Sequence, residues 1–238
     1  MAAPTFQAAG TAVSATTGTL TVAWPAHAVG DIALLIVESN DTTSARPSLT
    51  TANGFALLWQ GSANNQSTLS VYWCRATTTS MASPVLAALN NHQYGQIITF
   101  RNCVATGNPW DSFAGISNVA YSVGTPIDSG ALAASSVADV LYVDIIARSK
   151  TGAGAGFSSW SNTDLSTLTE IVDAGTVSGD GGGLGVNTGL VGPAKAFTTW
   201  TQVSYTATGG YTASALAVTL LPAGGAPPPD YTKFFNLF

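Results

Sequence analysis

Before residue 222 no stretch of this chain keeps apolar residues at helical spacing. Nearly every apolar run is short, β-branched or aromatic, and closed off by Gly, Asn, Ser, Thr or Pro. Such punctuation predicts strands joined by turns. The clearest runs are TLTVAW (19–24), DIALLIVES (31–39), STLSVYWCRA (67–76), GQIITFR (95–101), ADVLYVDIIAR (138–148), LTEIVDA (168–174), LGVNTGLVG (184–192) and ASALAVTLL (213–221). Leu69, Val71 and Trp73 alternate with Ser70, Tyr72 and Cys74, the period of two that goes with one buried face. Ile32 to Val37 is apolar at every position, which predicts a central strand covered on both faces.

The two halves of the chain echo one another. Asp31 and Asp139 each open a long apolar strand. LLWQGS (57–62) then corresponds to TEIVDAGT (169–176), LSVYWCRA (69–76) to LGVNTGLV (184–191), and QIITF (96–100) to LAVTL (216–220). The offset grows from about 108 to about 120 residues, as loop insertions would cause. Either the strand pattern is duplicated or sandwich strands simply resemble each other at this level. Both readings give an all-β chain, a β-sandwich or jelly roll. The expected organisation is a sandwich domain over 1–221, a Pro/Gly-rich linker over 222–230 and an aromatic peptide over 231–238. The Gly-rich stretches around 152–156 and 179–185 are expected to be long, mobile loops at one end of the sandwich.

Composition narrows the partners. Only 8% of residues are charged, against roughly 25% in an ordinary soluble domain. With a net charge of -5 the chain lacks a basic footprint for nucleic acid. A hydrophobic content of 46% excludes disorder. The start, MAAPTFQAAG, has neither the cationic stretch nor the apolar run of a secretory signal. The apolar stretch from Ala131 to Ala147 is broken by Ser135, Ser136, Asp139 and Asp144, so no membrane insertion is expected. Cys74 and Cys103 are too few for a disulfide framework, and they read as small half-buried hydrophobes in preference to a bridge.

No conventional chemistry announces itself. None of Lys150, Lys195 and Lys233 follows a glycine, so no phosphate loop is present, and GDGGGLGVNTG (179–189) runs into a strand where a pyrophosphate would need a helix. There is no G-x-S-x-G elbow. His27 and His92 read as turn residues in preference to general bases. Glu38, Asp144, Glu170 and Asp173 could supply the carboxylate pair of a glycan hydrolase, but strand-end carboxylates ordinarily solvate an edge. Asp180, alone among glycines, falls short of a calcium site. The expectation is no enzyme, no cofactor and no metal. Trp59, Trp160 and Trp200, near loops, could face sugar or could plug the core or a subunit interface.

After Leu221 the chain changes character. PAGGAPPPD reads as a stiff extended spacer. In YTKFFNLF, Tyr231, Phe234, Phe235 and Phe238 recur at i, i+3, i+4 and i+7, with Leu237 beside them. An octapeptide holds no structure alone in water, so these five residues are expected to bind a partner: a neighbouring subunit or a groove of the same chain.

VGDIALLIV (29–37), NGFALLWQGS (53–62), LSVYWCRATT (69–78), IITFRNC (97–103) with NPWD (108–111), DVLYVDIIA (139–147) and ALAVTLLPA (215–223) together resemble a family of bacteriophage and prophage virion proteins. The resemblance covers roughly residues 5–223. It departs at Asn102, where the family usually has glycine after the arginine, and at Asn53, where a Pro-Ala-Gly turn is common. What the resemblance implies is a non-enzymatic β-sandwich subunit of a phage particle, whether a tail-fibre or tail-tip appendage or a capsid decoration. Its implied partners are other virion proteins and copies of itself, a trimer among the expected forms. Host-surface glycan is a further expected partner, and the place of action is the virion assembled in the host cytoplasm. The alternative from the residues alone is a carbohydrate-binding module for surface polysaccharide, and a third reading is a degraded glycan hydrolase.

Overall fold

The computed structural model describes residues 2–40, 46–63, 67–120, 126–128, 132, 135, 137–149, 156–191, 204–207 and 212–224. All regular structure among them is strand: β1 (Thr5–Ala9), β2 (Val13–Ala15), β3 (Leu20–Thr21), β4 (Ile32–Asn40), β5 (Leu49–Thr51), β6 (Ala56–Ala63), β7 (Ser67–Arg75), β8 (Val85–Leu86), β9 (His92–Arg101), β10 (Trp110–Ala120), β11 (Pro126–Asp128), β12 (Leu141–Ser149), β13 (Phe157–Ser161), β14 (Leu165–Thr176), β15 (Gly182–Val191), β16 (Ser204–Ala207) and β17 (Thr212–Leu220).

These strands form two large sheets and two small ones. The first large sheet runs β1-β9-β4-β7-β6, with β2 continuing the β1 edge along β9, and the second runs β10-β17-β12-β15-β14. The small sheets run β3-β8-β5 and β11-β16-β13. One substitution scheme converts the first pair of orders into the second: β1 to β10, β3 to β11, β4 to β12, β5 to β13, β6 to β14, β7 to β15, β8 to β16 and β9 to β17. Each half is thus a five-stranded and a three-stranded sheet in the double-Greek-key order of a jelly roll. The chain is that unit twice.

Register carries the duplication to single residues. Ile32 pairs with Arg75 and Phe100, and Leu141 pairs with Leu190 and Leu220. Ile32 therefore answers to Leu141, and the equivalent of Asp31 is Val140, one residue beyond the Asp139 expected from the sequence. The matches of 69–76 with 184–191 and of 96–100 with 216–220 keep the sequence register, and 57–62 falls on 170–175 within the expected 169–176. Even the irregularities repeat. β6 slips between Leu57 and Trp59, and β14 slips between Glu170 and Val172, the equivalent pair. The edge strands β1 and β10 slip just after Phe6 and Trp110, which both oppose the last core residue of the neighbouring strand. Bulges at equivalent edge positions twist the edges away from further pairing.

The large sheets face each other across a shared apolar seam. Ile32, Leu34, Ile36, Leu69, Val71, Ile98 and Phe100 meet Leu141, Val143, Ile145, Leu184, Val186, Leu216, Val218 and Leu220. The odd-numbered residues of β4, Ala33, Leu35 and Val37, point the other way and are covered by Leu20, Leu86 and Leu49 from the small sheet β3-β8-β5. Tyr142, Ile146, Ala215 and Ala217 similarly lie under Phe157 and Trp160 of β13. β4 is buried along its whole length, as a strand covered on both faces must be.

Two positions flagged by the sequence have a backbone explanation. Asn53 and Asn102 have φ of 47° and 59°. Both sit in the left-handed region that glycine populates freely and asparagine tolerates. The stretch around 179–185 is not a long loop. Gly179 and Gly181, at φ of 58° and 76°, make a tight turn, and β15 begins at Gly182.

Candidate functional site

The segment joining the halves is held from both sides. Val104 N–H donates to Leu221 O at 3.0 Å, Leu221 N–H to Pro109 O at 2.8 Å and Ala223 N–H to Asn102 O at 2.7 Å. Arg75 adds two bonds from its guanidinium, to Val104 O at 2.6 Å and Gly107 O at 3.2 Å. The end of β17 is thereby fixed to the crossover, and the chain leaves the described structure at Gly224 beside it. Pro222–Gly224 belong to the described structure, whereas residues 225–230 of the expected linker lie outside the described residues. So do the five expected partner-binding residues Tyr231, Phe234, Phe235, Leu237 and Phe238.

A shallow groove of about 470 Å³ opens next to that exit, walled by Ala28 to Asp31 and by Arg101, Asn102, Cys103 and Ala105. Val29 on its rim is 64% exposed. Its polar wall is a forked pair in which Arg101 Nε donates to Asp31 Oδ1 at 2.8 Å and Nη2 to Oδ2 at 2.7 Å. Burial works to raise the Asp31 pKa. The Arg101 fork and the Ala28 N–H outweigh it and hold the carboxyl below its ordinary range. The groove thus offers apolar contact and one half-exposed guanidinium.

A second feature lies where β6 and β10, the edges of the two large sheets, run side by side. The Trp73 and Trp110 rings meet edge to face at 5.1 Å, and Trp110 meets Phe113 at 6.1 Å. Phe113 is 42% exposed. Trp59 of β6 lies over Gly61 and Gly115, partly buried against the seam. Of the tryptophans expected near loops, Trp59 and Trp160 are strand residues packed against the two cores, and Trp200 lies outside the described residues.

The acid–base candidates are dispersed, with one exception. His92 is no turn residue. It opens β9, is fully buried, and its Nε2 lies 2.7 Å from Glu38 Oε2. Glu38 does not solvate an edge. It is buried at the end of β4, takes a 3.3 Å bond from Ser67 Oγ, and rests against Gly182 of the other half. Burial drives the Glu38 carboxyl up, only partly offset by His92 and Ser67. Burial alone would lower His92, but its bond to Glu38 and the charge of Asp180 raise it. No substrate reaches a pair with no exposed surface. Asp180 tops the β14–β15 turn and takes bonds from Asn91 Nδ2 at 2.8 Å and Asn40 Nδ2 at 3.3 Å. Asp173 Oδ1 accepts from the Gly156 and Phe157 N–H groups, and Glu170 accepts from Trp160 Nε1. Asp144 is buried under the second small sheet.

His27 does occupy a loop. Its Nδ1 lies 2.7 Å from Pro25 O, and the Met81 N–H points at Nε2 at 3.4 Å. Cys74 and Cys103 are buried and unbridged. Burial pushes Cys103 up to about 12. Among the described residues no group of three His, Cys, Asp or Glu side chains is placed to hold a metal ion.

The Glu38–His92 contact joins residues 54 apart, and the Trp59 slot joins strands from different halves. Local pattern carries neither. The only sequence signal was an acid at the end of the apolar run of β4.

The class the fold defines is therefore a duplicated jelly roll. The chain matches no family model, no curated protein and no solved structure.

Proposed function

We propose that this chain is a non-enzymatic structural component of a bacteriophage particle, a tail or fibre appendage or a capsid decoration, acting in virion assembly and host-surface attachment. The observation that supports it most is how the fold uses its buried charges. Asp31–Arg101, Arg75 on the crossover carbonyls and Glu38–His92 tie chain segments together; only Asp31–Arg101 borders a groove, and there the two groups are taken up by each other. Rigid, self-braced sandwiches with a neutral hydroxyl-rich exterior suit repeated contact between subunits. In this reading the tail anchors the unit through Tyr231, Phe234, Phe235, Leu237 and Phe238.

Light scattering on the full chain and on a chain ending at residue 230 tests this. The full chain is expected to form a homo-oligomer, and the shortened chain to stay monomeric with an unchanged melting curve. An oligomer untouched by the deletion would overturn the anchoring role. A monomeric full chain that cleaves a surface polysaccharide would overturn the whole reading.

The exposed aromatic edge favours a second reading, a carbohydrate-binding module. Phe113 beside Trp110 offers apolar faces near the serines of β10. Saturable glycan binding that is lost in Trp110→Ala and Phe113→Ala, in a protein that stays monomeric, would decide for it.

A further inference from the structure

The seam between the halves is apolar along its length except at one end, where β4 and β9 meet the β14–β15 turn. There Glu38, bonded to His92 and Ser67 of the first half, faces Gly182 of the second. Asn91, next to His92, carries the contact outward: its Nδ2 donates to Asp180 Oδ2 at 2.8 Å, and its Oδ1 accepts the Asp180 N–H at 3.1 Å. Ser14 Oγ and Ser178 Oγ close the rim at 3.2 Å. The charged groups felt by the pair are Asp180 on the turn and Arg148 on β12. At the same end Ser214 Oγ, on the seam face beside Ala147, is buried without a hydrogen-bond partner, as is Gln96 Oε1 on β9. Polar groups left unsatisfied in an apolar interface weaken it locally.

We propose that Glu38 and His92 form a proton-controlled latch across this end of the seam, closed while the pair holds its proton and opening when the proton is lost. With the proton present the two side chains compensate each other. Without it the Glu38 carboxylate stays charged in a buried interface after the imidazolium charge beside it is gone, with neutral donors in contact, Ser67 Oγ and the uncharged His92 ring, and the charge of Arg148 as its remaining offset. Its nearest route to water passes the β14–β15 turn, so hydration must part Gly182 from Glu38 and strain the Asn91–Asp180 contact. The rest of the seam, apolar on both faces, stays shut.

Hydrogen exchange of the full chain between about pH 6 and about pH 9, corrected for intrinsic rates, tests the latch. Protection of residues 36–40, 91–95 and 178–184 is expected to fall as pH rises, by on the order of tenfold for each unit that His92 is raised in the fold. Residues 141–146 should keep theirs. In Asp180→Asn, which removes a surface charge that helps hold the proton, the same loss should come at lower pH. An imidazole titration of His92 by NMR in the unaltered chain gives an independent midpoint, which should coincide with the loss. Protection that is flat with pH at the three segments, a loss spread evenly over the chain, or a midpoint that does not follow His92 would overturn the proposal.

Discussion

Trp59 of the first half lies in a slot that only Gly115 of the second half leaves open. A Cβ on Gly115 would stand 2.0 Å from Cε2 of that indole, and one on Gly61 would stand 2.1 Å from its Cη2. The ring joins the β6 and β10 edges, so this one fit decides how closely the two sheets meet on that side.

Gly115→Ala should therefore cost about 1–3 kcal/mol, the usual range for overpacking. Trp59→Ala should cost about 3 kcal/mol, toward the lower end for a tryptophan because the ring is only half buried. Urea denaturation of both single variants and the double variant checks the cause. With the indole gone the glycine has nothing to clear, so the double variant should be no less stable than Trp59→Ala. Additive losses would argue against the slot.

Gly182 faces a harder neighbour. A Cβ there would come within 2.1 Å of Glu38 Oε2 and 2.4 Å of its Cδ, and Glu38 is held by His92 and cannot swing away. Gly182→Ala is expected to lose about 2–3 kcal/mol in the same denaturation assay. Gly18→Ser, where nothing lies within 4 Å, feels only its positive φ of 85° and should lose less.

Asp31 gives the acid side of the stability profile. Its carboxyl is held below the ordinary value, so its contribution is fully present above about pH 4 and is lost as pH falls through the depressed folded value. Asp31→Asn should lower the melting temperature by a few degrees at pH 7 and flatten its decline below pH 4. A variant whose acid limb matches the parent would show that other carboxyls set it.

The thiols provide a test of the core. Cys74 and Cys103 are buried and unpaired, and burial raises both above the ordinary thiol range. A disulfide-exchange reagent at pH 8 should find no reactive thiol in the native chain and two after denaturation, as the sequence holds two cysteines. Prompt reaction of either in the folded protein would contradict the packing around β7 or the crossover.

The large-sheet strands were legible because their signal is local. The unbroken apolar run of β4 follows from burial on both faces, whereas the alternation at Leu69, Val71 and Trp73, which predicted one buried face for β7, misses that Ser70, Tyr72 and Cys74 on the other face are buried too. The duplication could be read from the same strands, but its register could not be fixed by matching aspartates. Asp31 is held by Arg101 and Ala28, whereas Asp139 is a turn residue with φ of 62°. β3 lies within the longer strand expected over TLTVAW (19–24) but spans only Leu20–Thr21, and β8, also two residues, carries too little pattern to be seen. β10 hides behind Gly115, Ser112 and Ser117 and two bulges. Glu38 and His92 each have an unremarkable sequence neighbourhood, and only the pairing of β4 with β9 makes them partners.

The inner face of each large sheet is apolar and finds its cover only in the other half. During synthesis the first jelly roll emerges complete by about residue 101, more than a hundred residues before β17 closes the second. At 5–20 residues per second that face waits uncovered on the ribosome for roughly 6–25 s. In that interval two nascent chains on one message could meet through the surfaces each should reserve for itself, giving swapped pairs. Slowing translation through residues 102–220 is therefore expected to lower the fraction that folds as a single chain.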